Sequence, residues 1–296
     1  MAIGVLVSLA IASGIWNTDA GNGPDSKSET ARSHEHEVST AAPPTREYMV
    51  GAYSGAPYTY DSDVTIKKPS VHDFTVKDVT WKGEPFIDPI YYGIRVQRWF
   101  EGGRTGTMLD FTHSKTIALL QKTVDMTGLL NGAPAPERAK LEDIFRRLEF
   151  SHGHNMLTLN GLMRLWDLHP RLSPYIGLGF GINLPHAEIQ LRKDKTRTYE
   201  YQFTGPVAQA LIGLEFRVPR MSYFFEYKFT LASYEVPLSG LDGTKIGLFA
   251  DLFRQVARWW SGKPPPDGFA STTLISHQLI GGLGVRFAAH PAPAAP

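Results

Sequence analysis

The chain has 296 residues, with 30 Lys and Arg against 29 Asp and Glu, a formal charge of +1, and no cysteine. That balance argues against a basic nucleic-acid surface, and the lack of thiols excludes a disulfide framework, a thiolate metal site and a lipid-bearing cysteine anchor. No apolar run reaches the ~18 residues of a spanning helix, a test that a barrel escapes because its lipid face takes only every second residue.

The chain opens on an apolar segment, 1–16, with Leu6, Val7, Leu9 and Ile11 followed by the small residues Ala12, Ser13 and Gly14. It reads as a secretory signal peptide, too short to span a bilayer. Residues 17–45 are polar and rich in Gly, Ser, Thr, Glu and Pro, the composition of a disordered linker, here expected in the periplasm. His34-Glu35-His36 within it could touch a metal, but nothing nearby would order three ligands, so the solvated tail is the better reading.

Eight strand-like runs follow, near 46–57, 89–99, 105–115, 154–165, 174–186, 204–217, 221–235 and 274–287. Their connections alternate. Phe100–Arg104, Trp166–Ser173 and Pro219–Arg220 are short, whereas 58–88, 116–153, 187–203 and 236–273 are long. A soluble sandwich has no reason to gather every long loop at one end. An eight-stranded antiparallel outer-membrane β-barrel does, with tight periplasmic turns and long extracellular loops. The expected barrel covers 46–287, with an Ala/Pro tail over 288–296, integral to the outer membrane of a Gram-negative bacterium.

Alternation supports that architecture. Ile176, Leu178, Phe180, Ile182 and Leu184 share one face of the fifth run, and Tyr175, Gly177, Gly179, Gly181 and Asn183 the other. The fourth run sets Leu157, Leu159, Met163 and Leu165 against His154, Thr158, Asn160 and Arg164. The seventh sets Tyr223, Phe225, Tyr227, Phe229 and Leu231 against Ser222, Glu226, Lys228 and Thr230. In the last, Leu279, Leu283, Val285 and Phe287 oppose Ser276, Gln278 and Arg286. The alternating glycines sit inside a strand with no helix start behind them, which excludes a nucleotide-binding loop.

The implied inner face collects Glu47, Arg95, Gln97, Asp110, Asn160, Arg164, Asn183, Gln209, Glu215, Glu226, Lys228 and Arg286. Eight strands leave an interior that side chains fill, so these charges are expected to pair as a plug rather than line a channel.

Two loop segments look helical. In 247–260, Leu248, Phe249, Leu252, Phe253, Val256, Trp259 and Trp260 fall on one stripe opposite Asp251, Arg254, Gln255 and Arg258, and Pro264-Pro265-Pro266 stops the run. Such a helix could lie among lipid headgroups, with Arg254 and Arg258 on substrate phosphates, or cover the barrel mouth as a lid. In Glu137–Phe150, Leu141, Ile144, Phe145 and Leu148 suggest a capping helix.

Histidines lean to the loop rim. His113 ends the third run, His154 begins the fourth, His186 ends the fifth and His277 begins the eighth, with Glu149, Glu188 and Glu200 nearby. Imidazole beside carboxylate suits a metal site or a general base. Simple alternation turns His113, His186 and His277 towards lipid and only His154 inward. Ser151 and His152 are adjacent, so on a regular strand they would point to opposite faces and could not hydrogen-bond, which disfavours a serine hydrolase.

The runs Phe74–Gly83, Pro89–Arg95, Leu109–Lys115, Leu148–Asn160, Pro174–Glu188, Tyr199–Pro206 and Phe225–Lys228 resemble the alphaproteobacterial outer-membrane lipid A oxidases, over roughly 46–287. The resemblance implies a barrel that oxidises the proximal glucosamine of lipid A to 2-aminogluconate with molecular oxygen, and so a lipid A or lipopolysaccharide partner. It transfers no catalytic residues; the matching positions are Asp110, His113, Glu149, Asn155, His186 and Glu188. His113, His154, His186, Glu149, Glu188 and Asp110 are the candidate catalytic residues and Asn155 a candidate substrate contact, and a divalent metal held by His and carboxylate is the natural candidate for passing electrons. The 116–147 insertion and the Trp259-Trp260 loop exceed the family pattern. The competing reading is a non-catalytic barrel whose loops bind lipopolysaccharide or a protein.

Overall fold

The computed structural model describes residues 46–166, 168–240, 242–243 and 248–289. The signal-like segment, the linker with His34-Glu35-His36, and the tail from 290 onward lie outside the described residues.

Eight strands build a closed wall: β1 Arg46–Thr59, β2 Tyr92–Trp99, β3 Thr105–Ala118, β4 Phe145–Arg164, β5 Leu172–Asn183, β6 Gly205–Val218, β7 Met221–Pro237 and β8 Phe269–Ala289. Each pairs antiparallel with the next. β8 then returns to β1, from Arg46↔Ala289 to Thr59↔Ser276. Among the described residues, closure leaves the eight-strand wall without an unpaired edge, the condition for a sheet in hydrocarbon. The expected antiparallel barrel is therefore the architecture, with its three tight turns on one rim.

Outward side chains form an apolar belt that includes Leu159, Leu178, Phe180, Phe225, Leu279 and Phe287, all exposed. The glycines of β5 face in and let β4 lie close. A Cβ at Gly181 would fall 1.9 Å from the Leu157 carbonyl oxygen.

Inside the belt, charges pair in two layers. In the central layer Arg95 holds Asp110 through Nε at 3.2 Å and grips Glu226 through its two terminal guanidinium nitrogens at 2.5 and 2.8 Å, while Lys228 reaches Asp110 at 2.6 Å. Tyr53 donates to Asp110, and Tyr175 to Glu226. Nearer the turn rim, Arg164 bridges Glu47 and Glu215 at 3.1 and 3.0 Å, and Arg286 reaches Glu47 at 3.3 Å. The expected plug is present.

Beyond the belt the wall continues, and its inside turns apolar. The 58–88 connection is a hairpin, Ser62–Lys68 with His72–Val79, and 187–203 is another, His186–Leu191 with Thr198–Tyr201. Val64, Ile66, Phe74, Val76, Met126, Phe145, Phe150, Ile189, Tyr234 and Leu274 pack into one core there. The reversal has a simple cause. Where hydrocarbon lies outside, apolar side chains face out; where water lies outside, they face in.

The capping helix expected over Glu137–Phe150 is not formed. One helical turn, Leu141–Ile144, joins Arg138–Lys140 to β4, which already starts at Phe145. A bulge between Phe145 and Arg147 shifts the register, so buried Phe145 and Leu148 stand three apart, a strand that mimics helical spacing. The second expected helix is present as Leu248–Trp260.

Candidate functional site

A second bulge makes the site. Across β3–β4, Phe150 faces Thr116 and His154 faces Ser114, so Ser151, His152 and Gly153 loop out of the ladder. Gly153 takes φ +147°, a region that L side chains rarely enter. The detour carries His152 to the outer face of the wall, above the apolar belt, with its side chain 48% exposed. Its Nδ1 lies 3.2 Å from Ser151 Oγ and 3.8 Å from a Glu188 carboxylate oxygen, and its Nε2 lies 3.3 Å from the Tyr199 hydroxyl.

Glu188 stands opposite Glu149 in the β4 ladder. Both carboxyls are buried, and Arg147 lies 3.3 Å from Glu149 and 3.5 Å from Glu188. Arg197 reaches Glu188 at 2.6 Å and covers the Tyr199 ring at 4.1 Å. Burial first, and then the neighbouring Glu188 carboxylate, hold the Glu149 carboxyl above the usual glutamate range. These groups line an outward-facing crevice of about 660 Å³, closed on the far side by Lys115, whose ammonium donates to the carbonyls of Ile87 and Asp88 at 2.8 and 3.0 Å. That volume accommodates a sugar headgroup.

The sequence-predicted residues separate into groups. Glu149 and Glu188 line the crevice. His186 lies beside it, buried among the rings of Tyr199, Tyr201 and His152 at 4.4, 4.7 and 5.3 Å. His113 bonds Asn155 at 2.8 Å and stacks on Tyr92, and Asn155 also donates to the Leu184 carbonyl, so this pair braces the wall outside the crevice lining. His154 points inward to Tyr234 and Thr116. Asp110 is not at the rim, because its register places it in the central charge layer, fully engaged by Arg95 and Lys228. Arg258 pairs with Glu235 and Arg254 with Asp251, both outside the crevice.

Among the described residues no three His, Cys, Asp or Glu side chains converge closely enough to hold a metal, so the divalent ion suggested by the sequence has no fitting cage there. The expectation that Ser151 and His152 cannot hydrogen-bond is also corrected, since the bulge removes the strict alternation on which it rested. A serine triad still does not form, because Ser151 and Glu188 address the same nitrogen of His152. Sequence reasoning missed His152, Tyr199, Arg147, Arg197 and Lys115. The one available signal was the period-two pattern breaking at Gly153 between two histidines.

No family model and no curated protein matches the chain. Solved structures that resemble it include Neisserial surface protein A (10% identity, TM-score 0.34, covering 82% of this chain and 97% of that one). Others are the Yersinia pestis attachment invasion locus protein Ail, in complex with the heparin analogue sucrose octasulfate (11%, 0.30, 82% and 98%), and the Escherichia coli outer membrane protease OmpT (8%, 0.37, 82% and 97%). Likeness at this level carries no argument about chemistry, and the barrel stands on its own strand pairing.

Proposed function

We propose that this outer-membrane barrel binds the headgroup of lipid A at the rim crevice and oxidises its proximal glucosamine to 2-aminogluconate. The observation that carries the reading is the position of the crevice, on the outer face of the wall directly above the apolar belt, where headgroups of the outer leaflet stand. Lys115, Arg147 and Arg197 supply cations for an anionic sugar, and His152, between Tyr199 and Glu188, is the base. Oxidation takes the proton of a free C1 hydroxyl to His152, and the C1 hydrogen with its electron pair ends on molecular oxygen through a redox group that the crevice side chains do not themselves supply. Peroxide and a lactone result, and water opens the lactone to the acid. The choice of this reaction over other headgroup chemistry rests on the sequence resemblance.

The test is aerobic incubation of purified barrel with 1-dephosphorylated lipid A. Expected are a gain of one oxygen atom in the disaccharide, release of peroxide, and loss of both in His152→Ala. Binding without either product would replace the enzyme with a lipopolysaccharide-holding barrel.

A further inference from the structure

Among the described residues, the helix Leu248–Trp260 meets the barrel along the side that carries Gln255, Arg258 and Trp259. The backbone N–H of Phe203 donates to Gln255 Oε1 at 2.8 Å, Trp259 meets the Phe203 ring edge-on at 5.7 Å, and Arg258 binds Glu235 at 3.0 Å. The opposite side presents Phe253, Val256, Ala257 and Trp260, a single stripe at i, i+3, i+4 and i+7. Phe253 is 76% exposed and Trp260 83%.

The docking points fix the height of the helix. Glu235 is an outward residue of β7, four positions beyond Leu231, an exposed residue of the belt. Four strand residues climb roughly 13 Å along the chain and about 10 Å along the membrane normal at the usual tilt. The headgroup layer is itself about 5–8 Å deep, and a helix with its side chains is about 10 Å across. The helix thus lies against the outer wall at headgroup level. It is not a lid, since it rests on outward residues and the space inside the wall is already filled by Tyr234, Val236 and Leu274.

We infer that Leu248–Trp260 is an interfacial anchor whose Phe253–Val256–Ala257–Trp260 stripe inserts into the outer leaflet of the bilayer, continuing the apolar belt sideways. Amphipathic helices with aromatic residues on the apolar side and arginines on the polar side lie in this plane. The stripe is independent of the crevice chemistry, so this inference survives if the oxidase reading fails.

The absence of native cysteine makes the test direct. Val256→Cys, Trp260→Cys and Arg254→Cys each take one nitroxide label, and the proteins are reconstituted into vesicles of phosphatidylethanolamine and phosphatidylglycerol. At 256 and 260, collisions with oxygen should exceed those with a water-soluble nickel chelate several-fold, and at 254 the ratio should reverse. Equal nickel access at all three sites would overturn the inference. So would spin–spin broadening from a second copy covering the stripe. Should a labelled variant fail to fold, intrinsic fluorescence decides. Lipids brominated high on the acyl chain should quench the unmodified protein more than Trp260→Gln, and equal quenching would overturn the anchor.

Discussion

Glu149 and Glu188 face each other across one rung of the ladder and lean on the same arginine, Arg147. Two buried carboxyls on one rung repel when both ionise, and only part of that repulsion is offset by the guanidiniums of Arg147 and, at Glu188, Arg197, both of them substantially exposed. The pair is therefore a feature that folding alone would not favour, and it sits in the crevice.

The Glu149 carboxyl titrates above its ordinary value of 4.5 in the folded protein, through burial and then the Glu188 charge. A group raised in this way contributes stability that is fully present below its unfolded value and lost as pH rises through its folded value. Glu149→Gln should leave the acid-side melting temperature unchanged, raise the melting temperature at neutral pH, and flatten the dependence between. Heat-modifiable gel migration across that range measures it. A Glu149→Gln profile parallel to that of the unmodified protein would show that the pair does not titrate on folding.

The lumen predicts a contrast between breaking and removing an ion pair. Arg95→Met leaves Glu226 buried without its guanidinium and should cost about 3–5 kcal/mol, whereas adding Glu226→Gln should recover much of that loss. Urea unfolding of the refolded barrel in detergent reads both. The same packed layer predicts no conductance steps in planar bilayers.

The strands were legible because a wall between hydrocarbon and a packed interior must alternate, as Leu178 and Phe180 do against Gly179 and Gly181. The helix Leu248–Trp260 was legible for a similar reason, although its stripe divides: Trp259 turns in to Phe203 while Trp260 turns out. The hairpins above the belt were not legible, since there the alternation changes sign and apolar Ile66 and Phe74 point inward. The site was hidden by bulges, which place Phe145 and Leu148 at helix-like spacing and bring Ser151 and His152 together against the strand rule. Both errors come from applying one period through a register shift.

Gly153 should be the backbone residue to which the site is most sensitive. A Cβ there would meet the Asn155 amide at 2.8 Å and hold a side chain in a region worth about 1–3 kcal/mol of strain. Gly153→Ala should lower stability by that amount and displace Ser151-His152, so turnover should fall further than the melting temperature alone explains. Gly102, at a turn-rim position with open space around its Cβ, is the control, where Ala should cost stability through its positive φ but leave turnover intact.

The role of His152 can be separated from that of its neighbours by which atom each one touches. As the base of the proposed oxidation it should account for about 10²–10⁴ in turnover, so His152→Ala should lose that factor with little change in stability. Tyr199→Phe removes the partner at Nε2 and should shift the pH profile while retaining measurable activity. Ser151→Ala should be nearly silent, because its hydroxyl shares Nδ1 with Glu188 and has no nitrogen of its own to activate it. His277, held by the hydroxyls of Tyr60 and Tyr227 on another part of the wall, is the distant control, and His277→Ala should leave turnover unchanged. If Ser151→Ala instead abolished activity and the product were a lipid A that had lost an acyl chain, the crevice would be a hydrolase using a rearranged His152, and oxidation would be the wrong chemistry.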